Sequence, residues 1–182
     1  MPRLLILAVL LLLPSAIPCV FSSSAAAESY QDFALRLVRK PPKGARFRPD
    51  LESYLDKLAT TARRKKGRRG VASNGLLLPA ARAQAVEMLT GDFVGHRSKS
   101  GYRFGARFEA FAGEERGRHG ENAARDRQPG PVDRTKARRL FQQWLDSTGH
   151  RRNLMHRDYK YVSTGVIERG NHLYAVQIYW ER

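Results

Sequence analysis

Residues 161–180 read YVSTGVIERGNHLYAVQIYW, and the layering of the molecule follows from them. Two β-prone runs, 161–168 and 173–180, flank a short turn region, Arg169-Gly170-Asn171-His172. In the second run Tyr174, Val176, Ile178 and Trp180 fall on one face, and Leu173, Ala175 and Tyr179 on the other. A strand that is apolar on both faces must be covered on both. The elements upstream are helical, so the expectation is an α/β (α+β) chain with helices on each side of a sheet.

Those helices can be placed from periodicity. Leu51, Tyr54, Leu55, Leu58, Ala59 and Ala62 form one apolar stripe, with Asp50 as the expected cap. Pro79 suits the first turn of a second helix, whose inner face is Ala81, Ala85, Met88 and Leu89 and which ends at Gly91. A third, short helix spans Phe104, Phe108 and Phe111, between Gly101 and Gly113. A fourth follows the capping residue Asp133, with the stripe Ala137, Leu140, Phe141, Trp144 and Leu145. It closes at Thr148-Gly149, with His150 just beyond. Residues 121–124 read as a short strand and residues 71–75 as a loop. Residues 28–49, broken by Pro41-Pro42, read as a short helix or extended piece followed by a linker.

The ends and the charge bound the setting. Arg3, the apolar run from Leu4 to Leu13 and the small-residue stretch ending in Ala25-Ala26-Ala27 read as a signal peptide covering 1–27, with cleavage near Ala27. The run is shorter than the ~20 residues of a membrane-spanning helix. Export to a periplasm or the exterior is expected, and the chain beyond residue 27 has no cysteine. A monomer held together by its core alone is expected. The formal net charge is +16. It is concentrated in Arg63, Arg64, Lys65, Lys66, Arg68 and Arg69, a surface suited to anionic lipid, glycan or another envelope component, or else simply a solvated helix end. No aromatic set accompanies the run, so single-strand stacking is unsupported and no specific nucleic-acid partner is expected.

Three separated fragments carry the candidate chemistry: Phe93 with His96, Gly120-Glu121-Asn122, and Trp144 with Ser147, Gly149-His150 and Asn153. His96, Glu121 and His150 are the ingredients of a site for a divalent cation such as zinc, calcium or magnesium, with Glu121 the candidate catalytic group acting through a bound water. The competing reading makes Glu121 a hydrogen-bond hub holding two loops, because a buried carboxylate without partners is costly. Asn122 and Asn153 read as loop ties around the cavity, and Ser147 as a cap or turn residue rather than a nucleophile.

These fragments, together with Gly149-His150-Arg151-Arg152-Asn153-Leu154, Gly165-Val166 and Val176-Gln177-Ile178, resemble the CAP superfamily in its bacterial SCP-like form. This superfamily comprises cysteine-rich secretory proteins, antigen 5 and pathogenesis-related class 1 proteins. The resemblance covers roughly residues 50–182, expected as the CAP (SCP-like) domain. It implies an α-β-α sandwich, a small antiparallel sheet with helices on both faces, in which the two histidines and the glutamate share one cavity. Many eukaryotic members carry a second glutamate three residues after the tryptophan; here that position is Ser147. Lipid or sterol binding is among the family's activities. The resulting expectation is a secreted, non-catalytic binding module with a His/Glu cavity and a cationic surface. The alternative is a metal-dependent, peptidase-like hydrolase using the same cavity.

Overall fold

The computed structural model describes residues 28–113 and 117–181; the expected signal peptide lies outside the described residues. In chain order the elements are α1 (Tyr30–Arg39), β1 (Ala45–Phe47), α2 (Pro49–Lys65), β2 (Ala72–Ser73), α3 (Leu78–Gly91), α4 (Phe104–Ala112), β3 (His119–Asp126), α5 (Arg134–Asp146), α6 (Thr148–Leu154), β4 (Tyr161–Arg169) and β5 (His172–Trp180).

β4 and β5 form the expected hairpin, and β3 adds antiparallel to the outer side of β5. The other side of β4 is shared. Antiparallel β1 takes the end at Ile167–Arg169, and the two-residue parallel β2 takes the beginning at Tyr161–Val162. The strand order is thus β1-β4-β5-β3, with β2 on β4. Each face of this sheet carries its own core. Tyr174, Val176, Ile178 and Trp180 pack with residues of α1, α3 and α4. Leu173, Ala175 and Tyr179 pack with α2, α5 and α6. The alternation along β5 therefore divides its side chains between two helical layers, and the molecule is an α-β-α sandwich.

Two local choices set how closely the layers approach. α3 presents Ala80, Ala81, Ala83 and Ala85, all buried. It lies so near β4 that an ideal Cβ at Gly165 would come within 2.7 Å of Arg82 Cα and 2.5 Å of the Ala81 carbonyl carbon. Only a residue without a side chain permits that backbone-to-backbone contact. Arg82 of α3 reaches the buried Glu52 of α2 in the opposite layer, and a Glu52 oxygen also accepts the Val166 amide at 3.1 Å, tying α2, α3 and β4 together.

Several expectations are corrected. Residues 28–49 are not a detached lead-in: α1 packs Tyr30 and Ala34 into the core against α3, and β1 joins the sheet. Only the turn around Pro41-Pro42 connects them. Residues 71–75 contain β2, and the short strand at 121–124 extends to eight residues. α2 begins two residues earlier than Asp50 as its cap implied. Arg48 is at the cap position and Pro49 is in the first turn, where its missing N–H costs nothing. Asp50 then pairs with Arg48 rather than capping. α3 ends at Gly91 as expected, but it is Asp92, at φ 57°, and not a glycine that takes the left-handed position past its end. His150 lies inside a separate short helix, α6, because Ser147 caps a new turn after α5 has stopped.

Candidate functional site

Glu121 lies on β3, the edge strand, and its side chain points into the layer that holds α4. That side chain is fully buried, as is the guanidinium-bearing side chain of Arg107 from α4. The two meet as a fork: Arg107 Nη1 donates to Glu121 Oε2 at 2.9 Å and Nη2 to Oε1 at 2.9 Å. This is the bidentate geometry in which charge-assisted pairs are strongest. Burial on its own disfavours the Arg107 charge, but the Glu121 carboxylate outweighs it and holds the guanidinium above its ordinary range. Arg107 Nη2 also donates to the carbonyl of His96 at 3.2 Å, so one side chain anchors both the strand and the loop after α3.

His96 completes the group. Its Nδ1 lies 2.9 Å from Glu121 Oε1, and its outer half is exposed. His150 approaches from α6 on the other side of β3, with its ring centroid 6.1 Å from that of His96 in an edge arrangement. Partial burial, and secondarily the charge of His96, lower the His150 pKa from its ordinary value, which favours a neutral ring.

The other face of β3 explains the flanking motif residues. Asn122, fully buried, donates to the His150 carbonyl at 3.1 Å. Asn153 donates to the Glu121 carbonyl at 3.0 Å and to Asn122 Oδ1 at 3.2 Å. Gly120 makes room for this tie, since a Cβ there would lie 2.6 Å from Tyr159 Oη and 2.9 Å from Asn153 Oδ1. Ser147 Oγ accepts the His150 amide and caps α6; its contact is with the backbone, not with the imidazole.

The residues do not fit the expected His–Glu–His ligand set. Both Glu121 oxygens face the Arg107 guanidinium, so a fixed positive charge stands against the carboxylate where a metal ion would need it. Among the described residues no three His, Cys, Asp or Glu side chains are grouped closely enough to hold a metal ion. The structure brings His96 to Glu121 and sets His150 beside His96, but the carboxylate is shared with an arginine that the sequence reading missed. A signal for it existed. Phe104, Arg107, Phe108 and Phe111 stand at i, i+3, i+4 and i+7, so a cation sits inside the apolar stripe of α4.

The basic run needs a parallel correction. Arg63, expected on the anionic-partner surface, is fully buried. It donates to the carbonyls of Arg69, Leu154, His156 and Tyr159 at 2.8–3.0 Å. It too falls in a stripe, following Leu51, Leu55 and Ala59 at intervals of four. Arg64, Lys65, Lys66, Arg68 and Arg69 are exposed. A second buried acid, Asp56 of α2, accepts from the hydroxyls of Ser73 and Thr164, and burial pushes its carboxyl above the usual range.

Known proteins share this architecture. A domain of an extracellular SCP-domain protein of Bacillus anthracis superposes with a TM-score of 0.59 at 18% identity, covering 73% of this chain and 41% of that one. An outer surface protein of Borrelia burgdorferi gives 0.62 at 15% identity, covering 76% and 98%. A cysteine-rich secretory protein of Staphylococcus aureus gives 0.56 at 16%, covering 74% and 39%. In sequence, the uncharacterized protein YkwD of Bacillus subtilis is 26% identical over 122 residues, which span 66% of this chain and 44% of that protein. The model of the cysteine-rich secretory protein family, CAP, matches residues 58–179. With the sandwich, the Gly-Glu-Asn strand and the α6 tie in place, the chain belongs to the CAP family of cysteine-rich secretory proteins.

Proposed function

We propose that this protein is an exported, non-catalytic binding module of the CAP family, with a rigid His/Glu cavity and a cationic face that takes anionic envelope or extracellular partners. The observation that carries the reading is the Arg107–Glu121 fork. A glutamate that activates water, for a metal or by itself, needs an oxygen free to accept a proton in the cavity. Here both oxygens accept from a buried guanidinium, and one also meets His96. The group is built as a hub joining α4, β3 and the loop after α3. Export is supported by the leader-like sequence at 1–27 and by the extracellular and outer-surface neighbours. No helix among the described residues is long and apolar enough to cross a membrane.

Calorimetric titration with zinc, calcium, magnesium and manganese tests the reading, run beside the His96→Ala and His150→Ala variants. The expected result is no stoichiometric binding that depends on both histidines. One equivalent of metal lost in both variants, with peptide hydrolysis abolished by Glu121→Gln, would overturn it in favour of the hydrolase.

A further inference from the structure

Surface grooves among the described residues lie on the α2–α5–α6 side of the molecule, and three of them differ in charge. One, beside α2 and β2, includes Asp56. Another, between α2 and α5, includes Asp50. The third, of about 530 Å³, is lined by Lys66, Arg68, Thr148, Arg151, Arg152 and Met155, with no acid among them. It joins two segments that lie more than seventy residues apart in sequence: the loop after α2 and the helix α6.

None of these four cations pairs with a carboxylate among the described residues. Elsewhere buried and half-buried arginines do: Arg48 with Glu168, Arg82 with Glu52, Arg107 with Glu121, and Arg139 with Asp126. Four like charges around one concavity repel one another and focus a positive potential there, which an anion relieves. The groove is also held in shape. Buried Arg63 ties the carbonyl of Arg69 to those of Leu154 and His156, so the α2 loop is fastened to the end of α6. Gly67, at φ 66°, turns the chain between Lys66 and Arg68. Cations carried on a fastened frame lose less freedom on binding than those on a loose tail.

We infer that this groove is a binding site for a multiply charged phosphate group. The guanidinium forks of Arg68 and Arg152 match phosphate oxygens in pairs, Arg151, whose Nη1 already donates to the Leu145 carbonyl at 2.7 Å, and Lys66 add charge, and the Thr148 hydroxyl adds a neutral donor. Its volume is within the range of small-ligand sites, ~300–1,000 Å³, and exceeds what the anion alone fills. Met155 lines it beside whatever the phosphate is attached to. The inference deepens the cationic-face part of the proposed function and rests on it.

The test is titration of the purified protein with inorganic pyrophosphate near physiological ionic strength, where surface charges are screened beyond about 8 Å. Two variants of equal net charge are compared: Arg68→Gln with Arg152→Gln inside the groove, and Lys57→Gln with Arg134→Gln outside it. The expected result is saturable one-to-one binding, weakened about tenfold or more by the first pair and less than about twofold by the second, since losing charge-assisted hydrogen bonds typically has an effect of that size. Equal weakening by both pairs would overturn the groove and leave the diffuse cationic face standing. No saturable binding would overturn the groove, and the cationic face falls with it only if the anionic vesicles below are not bound either. Vesicles containing phosphatidic acid, a lipid phosphomonoester that ionises twice, against phosphatidylcholine alone, distinguish the sources. Sedimentation lost in the groove variant assigns the phosphate to a lipid headgroup. Pyrophosphate binding without groove-dependent sedimentation assigns it to a soluble or polymer-borne phosphate.

Discussion

Arg107 and Arg63 show what a single buried cation does in this protein. Each is fully buried, and each is surrounded by acceptors from segments distant in sequence. Arg107 neutralises Glu121, and removing it would leave a carboxylate in the interior with only His96 as a partner. Arg107→Leu is therefore expected to lower unfolding stability by about 3–5 kcal/mol in urea titrations, the usual result of breaking a buried pair from one side. The double replacement Arg107→Leu with Glu121→Leu should recover most of that loss. If the single change costs under ~1 kcal/mol, Glu121 finds solvent or another partner and is not a hub. Both arginines occupy positions that helical periodicity assigns to the apolar stripe. The periodicity was legible from the sequence; the set of carbonyls and the carboxylate that satisfy those cations was not.

At the level of elements, close approach decides more than propensity. The Gly165-Val166 pair reads as ordinary strand sequence, yet Gly165 lies under the backbone of α3. Gly165→Ala should destabilise by about 1–3 kcal/mol, toward the upper end, because the obstacle is main chain that cannot change rotamer. Thermal or urea midpoints check this, and an unchanged midpoint would mean that α3 can lift from the sheet at little cost. α6 illustrates the opposite case. Thr148-Gly149 looked like a terminator, but Ser147 supplies a cap, and Asn153, the sixth residue of the new helix, ties it to β3. Local signals marked the end of α5 correctly, whereas the restart depends on a bond to a strand more than twenty residues earlier.

For the whole molecule, the sandwich includes more chain than the family match at 58–179. α1 contributes Tyr30 and Ala34 to one core, and β1 covers part of the outer edge of β4. A chain starting at residue 50 should therefore lose cooperative unfolding or show a clearly lower urea midpoint than the chain from residue 28. Near-ultraviolet circular dichroism would report the loss of packing, and an equal midpoint would show that α1 and β1 are dispensable. The sequence by itself determined the layer order. Two-sided apolar strands require cover on both faces, and the periods of 2 and 3.6 say which residues supply it. It also named three residues, His96, Glu121 and His150, that the fold brings close together. Only the tertiary structure decided what those residues are joined to. The partners of Glu121 and the walls of the basic groove come from segments whose separation along the chain carries no record of their distance in space. In a close-packed interior it is that distance that determines whether a carboxylate faces a guanidinium or an ion.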